Sequence, residues 1–136
     1  MPSQLTQLAY YSSFDSDQGA DLDAILKSAH VHNSKNFITG ALWLYKKYFI
    51  QVLEGERKKV SETYHRICQD ARHSDVVLVG CVDIMARDFD NWWMAYVMDT
   101  PQNLDLILKY SCTNKIAPEK LTHERIVQLL LNAQKK

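Results

Sequence analysis

The stretch Phe49-Ile50-Gln51-Val52-Leu53-Glu54-Gly55 sets a primary amide among apolar neighbours in what reads as a β-strand ended by glycine. Alternation puts Gln51 on one face with Phe49 and Leu53. A carboxamide left unpaired there forfeits roughly 1–3 kcal/mol, so it needs a partner. A second amide, Asn33, falls about 20° around a helix from Leu22, on the apolar side. A helix C-cap is the other assignment for that asparagine. Arg66 and Asp70 stand four apart, with Glu62 four before Arg66, the spacing of an exposed ion-pair ladder worth about 0.3–0.5 kcal/mol per pair. His65 and His73 have no nucleophile beside them in sequence and are assigned ordinary structural or surface roles.

The remaining chemistry is thin. There is no Walker loop, dinucleotide glycine fingerprint, GxSxG elbow or HExxH, and four glycines leave little for a phosphate-cradling loop. Cys68, Cys81 and Cys112 are odd in number and widely spaced, which favours free thiols in a reducing cytoplasm over disulfides or zinc. Sixteen basic residues balance sixteen acidic ones, so no nucleic acid or membrane surface is expected as partner. No apolar run approaches the ~18–20 residues of a membrane span, and no secretory leader is expected.

The elements that must position these residues follow in order. Leu8, Tyr10 and Ser12 share one face of a first strand, with Ala9 and Tyr11 on the other. A turn-rich stretch, 14–19, precedes a helix from about Asp21 that carries Leu22, Ile25, Leu26 and Ala29 at helical spacing. Residues 37–45 and 48–54 read as a hairpin about Lys46-Lys47. A second helix lies between Gly55 and Asp70, with Val60, Tyr64, Ile67 and Ala71 in phase. Residues 76–84 give the strongest strand pattern, and 92–98 a final short strand containing Trp92, Trp93 and Met94. Two more helices follow Pro101 and Thr122. The order βαββαββ predicts an α+β, ferredoxin-like sandwich with two helices on one sheet face and the C-terminal helices on the other. We divide the chain into a domain over residues 1–98 and a helical extension over 99–136 that packs on it.

These motifs resemble the BLUF domains, blue-light sensors that use FAD. The resemblance is carried by Leu8-Ala9-Tyr10-Tyr11-Ser12, Asp21 to Leu26, Asn33, Ile38-Thr39-Gly40-Ala41-Leu42, Phe49 to Gly55, Tyr64 to His73 and Phe89 to Met94. It runs from about Leu5 to Val97, and the 106–111 stretch resembles the tail of the short, stand-alone members. It implies a flavin between the two helices, with Tyr10, Gln51 and Asn33 as its polar network and His32 beside the ring. It further implies that Arg66 and Asp70 contact the flavin's far polar edge or chain, and that Ile25, Ile38 and Ile67 supply apolar walls. Trp92, Trp93 and Met94 become the elements that move on illumination. FAD is the implied cofactor, with FMN or riboflavin as substitutes. Phe37 stands where the family commonly has glycine, and Trp93 where it commonly has serine.

The expectation is therefore a cytoplasmic flavin photoreceptor, not an enzyme, forming homo-oligomers and signalling to a separate protein partner. The rivals are an interaction module that has lost photochemistry, and a small acyl-phosphate hydrolase on the same fold.

Overall fold

The computed structural model describes residues 4–14 and 22–135, so of the expected 14–19 turn only Phe14 is described, as the end of a strand, and the helix start at Asp21 lies outside the described residues. The elements are β1 (Leu5–Phe14), α1 (Leu22–Asn36), β2 (Thr39–Tyr45), β3 (Tyr48–Glu56), α2 (Arg57–Cys68), β4 (His73–Asp83), β5 (Ala95–Val97), α3 (Pro101–Tyr110) and α4 (His123–Asn132). One five-stranded sheet has the order β4-β1-β3-β2-β5. Its pairs are antiparallel except β2 with β5, giving the mixed, ferredoxin-like sheet that the element order predicts.

Alternation along the strands builds two cores. Leu8, Tyr10, Leu42, Phe49 and Leu53 point to one face and pack with Ile25 of α1 and Val60 of α2. Ala9, Ala41, Trp43, Ile50 and Val52 point to the other and are covered by Ile107 of α3 and Ile126, Leu129 and Leu130 of α4. The central strands therefore read as apolar on both sides because both sides are covered. The strongly apolar 76–84 stretch becomes β4, an edge strand on which Val77, Leu78 and Val82 stay exposed.

Two glycines mark close approaches. A Cβ at Gly40 would collide with the Val52 carbonyl, so glycine lets β2 seat against β3 with Leu42 opposite Gln51. A Cβ at Gly80 would lie 2.5 Å from His123 Nδ1, so glycine admits the first residue of α4 onto the sheet.

Two expected boundaries are corrected. The second helix stops at Cys68, leaving Asp70 and Ala71 in the turn beyond it. The last strand is confined to Ala95–Val97, and Trp92, Trp93 and Met94 precede it. Their backbone carbonyls are taken elsewhere: Gly40 N–H donates to that of Trp92 at 3.1 Å, Asn33 Nδ2 to that of Trp93 at 2.8 Å, and His30 Nε2 lies 2.8 Å from that of Met94.

The segment leading to these residues is tied down by Glu54, a fully buried carboxylate on the α4 side of β3. It accepts from Gln7 Nε2 at 2.8 Å, from the Asp88 amide at 2.9 Å and from the Phe89 amide at 2.8 Å. Replacing Glu54 by alanine orphans two backbone donors, so Glu54→Ala should cost about 2–6 kcal/mol at roughly 1–3 kcal/mol per buried unpaired group. Urea unfolding measures this, and a loss below about 0.5 kcal/mol would show that the carboxylate does not anchor the segment.

Candidate functional site

Between α1 and α2, over the first core, opens a cavity whose floor is formed by Tyr10, Phe49 and Gln51. β1 and β3 pair in a register that sets Tyr10 directly opposite Gln51. The phenol O–H donates to Gln51 Oε1 in a short hydrogen bond. On its other end Gln51 Nε2 donates to Met94 Sδ at 3.2 Å, and a thioether is a weak acceptor. The buried amide thus has one strong partner and one poor one.

From α1, Ile25, His32 and Asn33 line the cavity. Asn33 is no C-cap, since α1 continues to Asn36; it is buried, and its amide secures the Trp93 carbonyl. From α2 come Thr63, Arg66 and Ile67. Arg66 does not pair along its own helix with Asp70. Its guanidinium donates to His32 Nδ1, which fixes the proton of that imidazole on Nε2, 3.0 Å from Thr63 Oγ1. Asp70 takes Arg72 instead, at 2.5 Å, and lies outside the cavity lining, whereas Arg72 lines it. Ile38 is fully buried in the same core as Tyr10 and Leu53 and also does not line the cavity.

Of the three residues before β5, Met94 is buried against Gln51, Trp92 packs on the α3–α4 side, and Trp93 is exposed. Phe37 has φ 54°, the left-handed region where glycine is at ease, and its carbonyl accepts from Arg87 Nη2 at 2.7 Å. Its ring meets that of Trp93 edge-on at 6.5 Å.

His73, assigned above an ordinary role, lines the cavity. Its Nδ1 is 2.8 Å from Ser12 Oγ, and its ring packs edge-on against Phe49 at 4.8 Å. Strand alternation already put Ser12 on the Tyr10 face; nothing local to residue 73 revealed that β4 would bring a histidine beside it.

The electrostatics follow from burial. Tyr10 is pushed well above the usual phenol range, first by desolvation and then by Cys68, Tyr64 and Asp70, so it keeps its proton. Tyr64, whose ring lies 5.5 Å from that of Tyr10, is raised to about 12 by burial and its hydrogen bond to Cys68. His32 is lowered by burial, Arg66 and Lys59. His73 is lowered mainly by burial, and Asp70 is held down to about 2 by its hydrogen bond with Arg72. Among the described residues no group of His, Cys, Asp and Glu could hold a metal ion. No helix among them is long and apolar enough to cross a membrane.

Residues 5–95 match the family model described as BLUF, sensors of blue-light using FAD. The photoactivated adenylate cyclase subunit beta of Euglena gracilis is 37% identical over 90 residues, which are 65% of this chain and 10% of that protein. The blue light- and temperature-regulated antirepressor BluF of Escherichia coli K12 is 34% identical over 86 residues, 62% of this chain and 21% of that one. The chain thus spans between a tenth and about a fifth of the length of these two curated relatives. Among solved structures, the photo-activated state of BlsA superposes with a TM-score of 0.86 at 28% identity, over 97% of this chain and 98% of that one.

The lowered histidines set a pH dependence. His32, His73 and His123 all lie below the ordinary value of about 6.5, each first because of burial. The unfolded chain therefore takes up protons first as the pH falls. These groups contribute stability that is complete above about pH 6.5 and is lost as the pH drops towards their lowered values. The melting temperature should fall between about pH 7.5 and pH 5.5, and one that holds or rises would contradict these assignments.

Proposed function

The chain belongs to the BLUF family of blue-light sensors using FAD, and from that membership we propose that it is a flavin photoreceptor in which Tyr10 and Gln51 perform the light-driven step. The observation that carries this is the Tyr10–Gln51 hydrogen bond at the cavity floor, with the amide's second end on a weak acceptor.

The residues present suit a flavin ring. Ile25 and Ile67, from the two helices, offer apolar walls, and Gln51 and Asn33 offer amides to the polar edge of a ring. Arg66 and His32 stand at the helix side of the same cavity. Asp70 belongs with the chain of the cofactor only by way of Arg72, which it orients. FAD is the form we assign, with FMN or riboflavin able to occupy the ring site. A bound flavin supplies light absorption and, when excited, a strong oxidant.

Everything else is done by the protein. Tyr10, protonated and desolvated, can give up an electron only as its proton moves, and Gln51 Oε1 already accepts that proton's hydrogen bond. Turning or tautomerising the Gln51 amide exchanges its donor and acceptor ends. The thioether of Met94 resists that exchange weakly, since each rearranged bond is worth on the order of 1 kcal/mol. Met94 is continuous with Trp93, whose carbonyl Asn33 holds, and with β5 on the sheet edge. We assign the 92–94 segment as the element through which the exchange reaches the surface. The signal then passes through contacts with a second copy of the chain or another protein, and the chain itself turns over no substrate.

An absorption spectrum before and after blue illumination tests this directly. The protein should be yellow and show a reversible red shift; a colourless sample, or a flavin spectrum indifferent to light, overturns it. Tyr10→Phe and Gln51→Leu should each retain flavin and lose the shift. A normal photocycle in either variant removes the role given to that residue.

A further inference from the structure

α1 borders the cavity on one side and, on the other, an open groove against β5. Leu26 of α1 lines that groove with Met94, Tyr96 and Met98, and Asp23 and Lys27 add an acid and a base one helical turn apart. Met94 is the residue whose sulfur accepts from Gln51 Nε2, so one side chain separates the groove from the cavity floor. Pliant thioethers beside an aromatic ring suit the apolar face of a docking helix. α3 offers such a face. Its Asn103 and Ile107 are buried against the fold, while Leu104 and Leu108, four apart on the outer side, are 37% and 62% exposed. Asp105 follows Leu104 and precedes Lys109 by four residues, and Asp23 precedes Lys27 by the same spacing on α1. Laid antiparallel, two helices with this order set Lys27 opposite Asp105 and Asp23 opposite Lys109. Among the described residues the ion pairs are Arg57–Asp83 and Arg72–Asp70, and neither involves Lys27 or Asp105.

We propose that a second copy of the chain covers this groove: each chain lays the outer face of its α3, with Leu104 and Leu108 turned inward, antiparallel along α1 of the other, about a two-fold axis. A two-fold contact needs one self-complementary patch, with groove and filler side by side on the same molecule. They are so placed here. The groove ends at Met98, α3 begins three residues later, and Asn103 Nδ2 ties the two together by donating to the Met98 carbonyl at 2.9 Å. The symmetry forms each charge pair twice and covers four exposed leucines. It also makes Met94 part of the interface. Whatever moves Met94 away from Gln51 then alters what the leucines of the other chain touch, and by linkage the dimer alters how freely Met94 moves. This coupling to light rests on the photoreceptor reading; the seating of α3 does not.

Sedimentation equilibrium of the full-length protein as purified, in the dark and at low salt, tests the seating. A small interface of this kind predicts a reversible dimer with a micromolar dissociation constant, visible over a series from about 1 to 500 µM. Lys27→Glu and Asp105→Lys should each weaken it about tenfold, since each reversal turns two attractions into two repulsions. Combined, the two should restore the dimer to within about threefold of the original. Leu108→Gln should weaken it at least about tenfold, while the unfolding of dilute, monomeric protein stays as it was. A chain that remains monomeric throughout, a dimer indifferent to Leu108→Gln, or a double variant as weak as the single ones overturns the seating and leaves the groove to a different protein. Under blue light the dissociation constant should change by at least about threefold; an unchanged value overturns the coupling through Met94 alone. A colourless sample fails the photoreceptor reading, and the same dark measurements still decide the seating.

Discussion

A buried carboxamide has more hydrogen-bonding capacity than an apolar cavity can satisfy, and the structure around Gln51 is arranged to keep it in that condition. Tyr10 occupies the carbonyl end, and the amino end is left on the sulfur of Met94. A strong acceptor in place of the thioether would commit the amide to one orientation, whereas an aliphatic side chain would leave the donor unpaired at roughly 1–3 kcal/mol. The thioether lies between these limits. It is adequate to hold the amide in place and cheap to abandon, which is what the proposed exchange at Gln51 requires.

That balance depends on register. The phenol meets the amide because β1 and β3 pair with residue 10 opposite residue 51; a slip of one residue would send either side chain to the far face. Met94 arrives because three successive carbonyls before β5 are captured by donors from β2 and α1. On the opposite face of β3, three positions from Gln51, Glu54 holds the amides of Asp88 and Phe89, the beginning of the segment that ends at Met94. Gln7 connects that carboxylate to α4, with its Nε2 on Glu54 and its Oε1 2.8 Å from His123 Nε2. One strand therefore carries Gln51 on one face and, on the other, the carboxylate that anchors the segment bringing Met94 to it. The C-terminal helices are joined to that carboxylate through Gln7, and they also pack on Trp92.

What could be read from the sequence was whatever a period of 2.0 or 3.6 controls. Alternation put Tyr10 and Ser12 on one face and Gln51 on the pocket side of its strand, and helical phase turned Asn33 inward. Apolar character on both faces of β2 and β3 anticipated a second cover, which α3 and α4 provide. What could not be read was convergence between elements. The i, i+4 spacing of Arg66 and Asp70 suggested partners, but the helix stops at Cys68, and the turn hands Asp70 to Arg72 while Arg66 finds His32 across the cavity. Nothing in the sequence marked Glu54 for burial. Its burial depends on backbone amides that a loop thirty-odd residues later delivers. The strand expected over residues 92–98 is shortened to Ala95–Val97 for the same reason, because the carbonyls of residues 92–94 found partners outside any ladder.

The two departures from the family pattern turn out to be one feature. A phenylalanine at φ 54° is strained where glycine would not be, at a cost of roughly 1–2 kcal/mol. Its carbonyl is secured by Arg87, whose other end-nitrogen donates to Thr39 Oγ1 at 2.9 Å and to the Glu54 carbonyl at 3.0 Å. The ring meanwhile lies edge-on to Trp93, the second departure. A serine at 93 would give that ring nothing to pack on, and a glycine at 37 would leave the indole with less cover. The pair makes sense only together. Trp93 stays outside, clasped by Phe37, while Met94 stays inside against Gln51, so the aromatic contact at the surface and the weak bond in the cavity hold the same short segment from opposite sides.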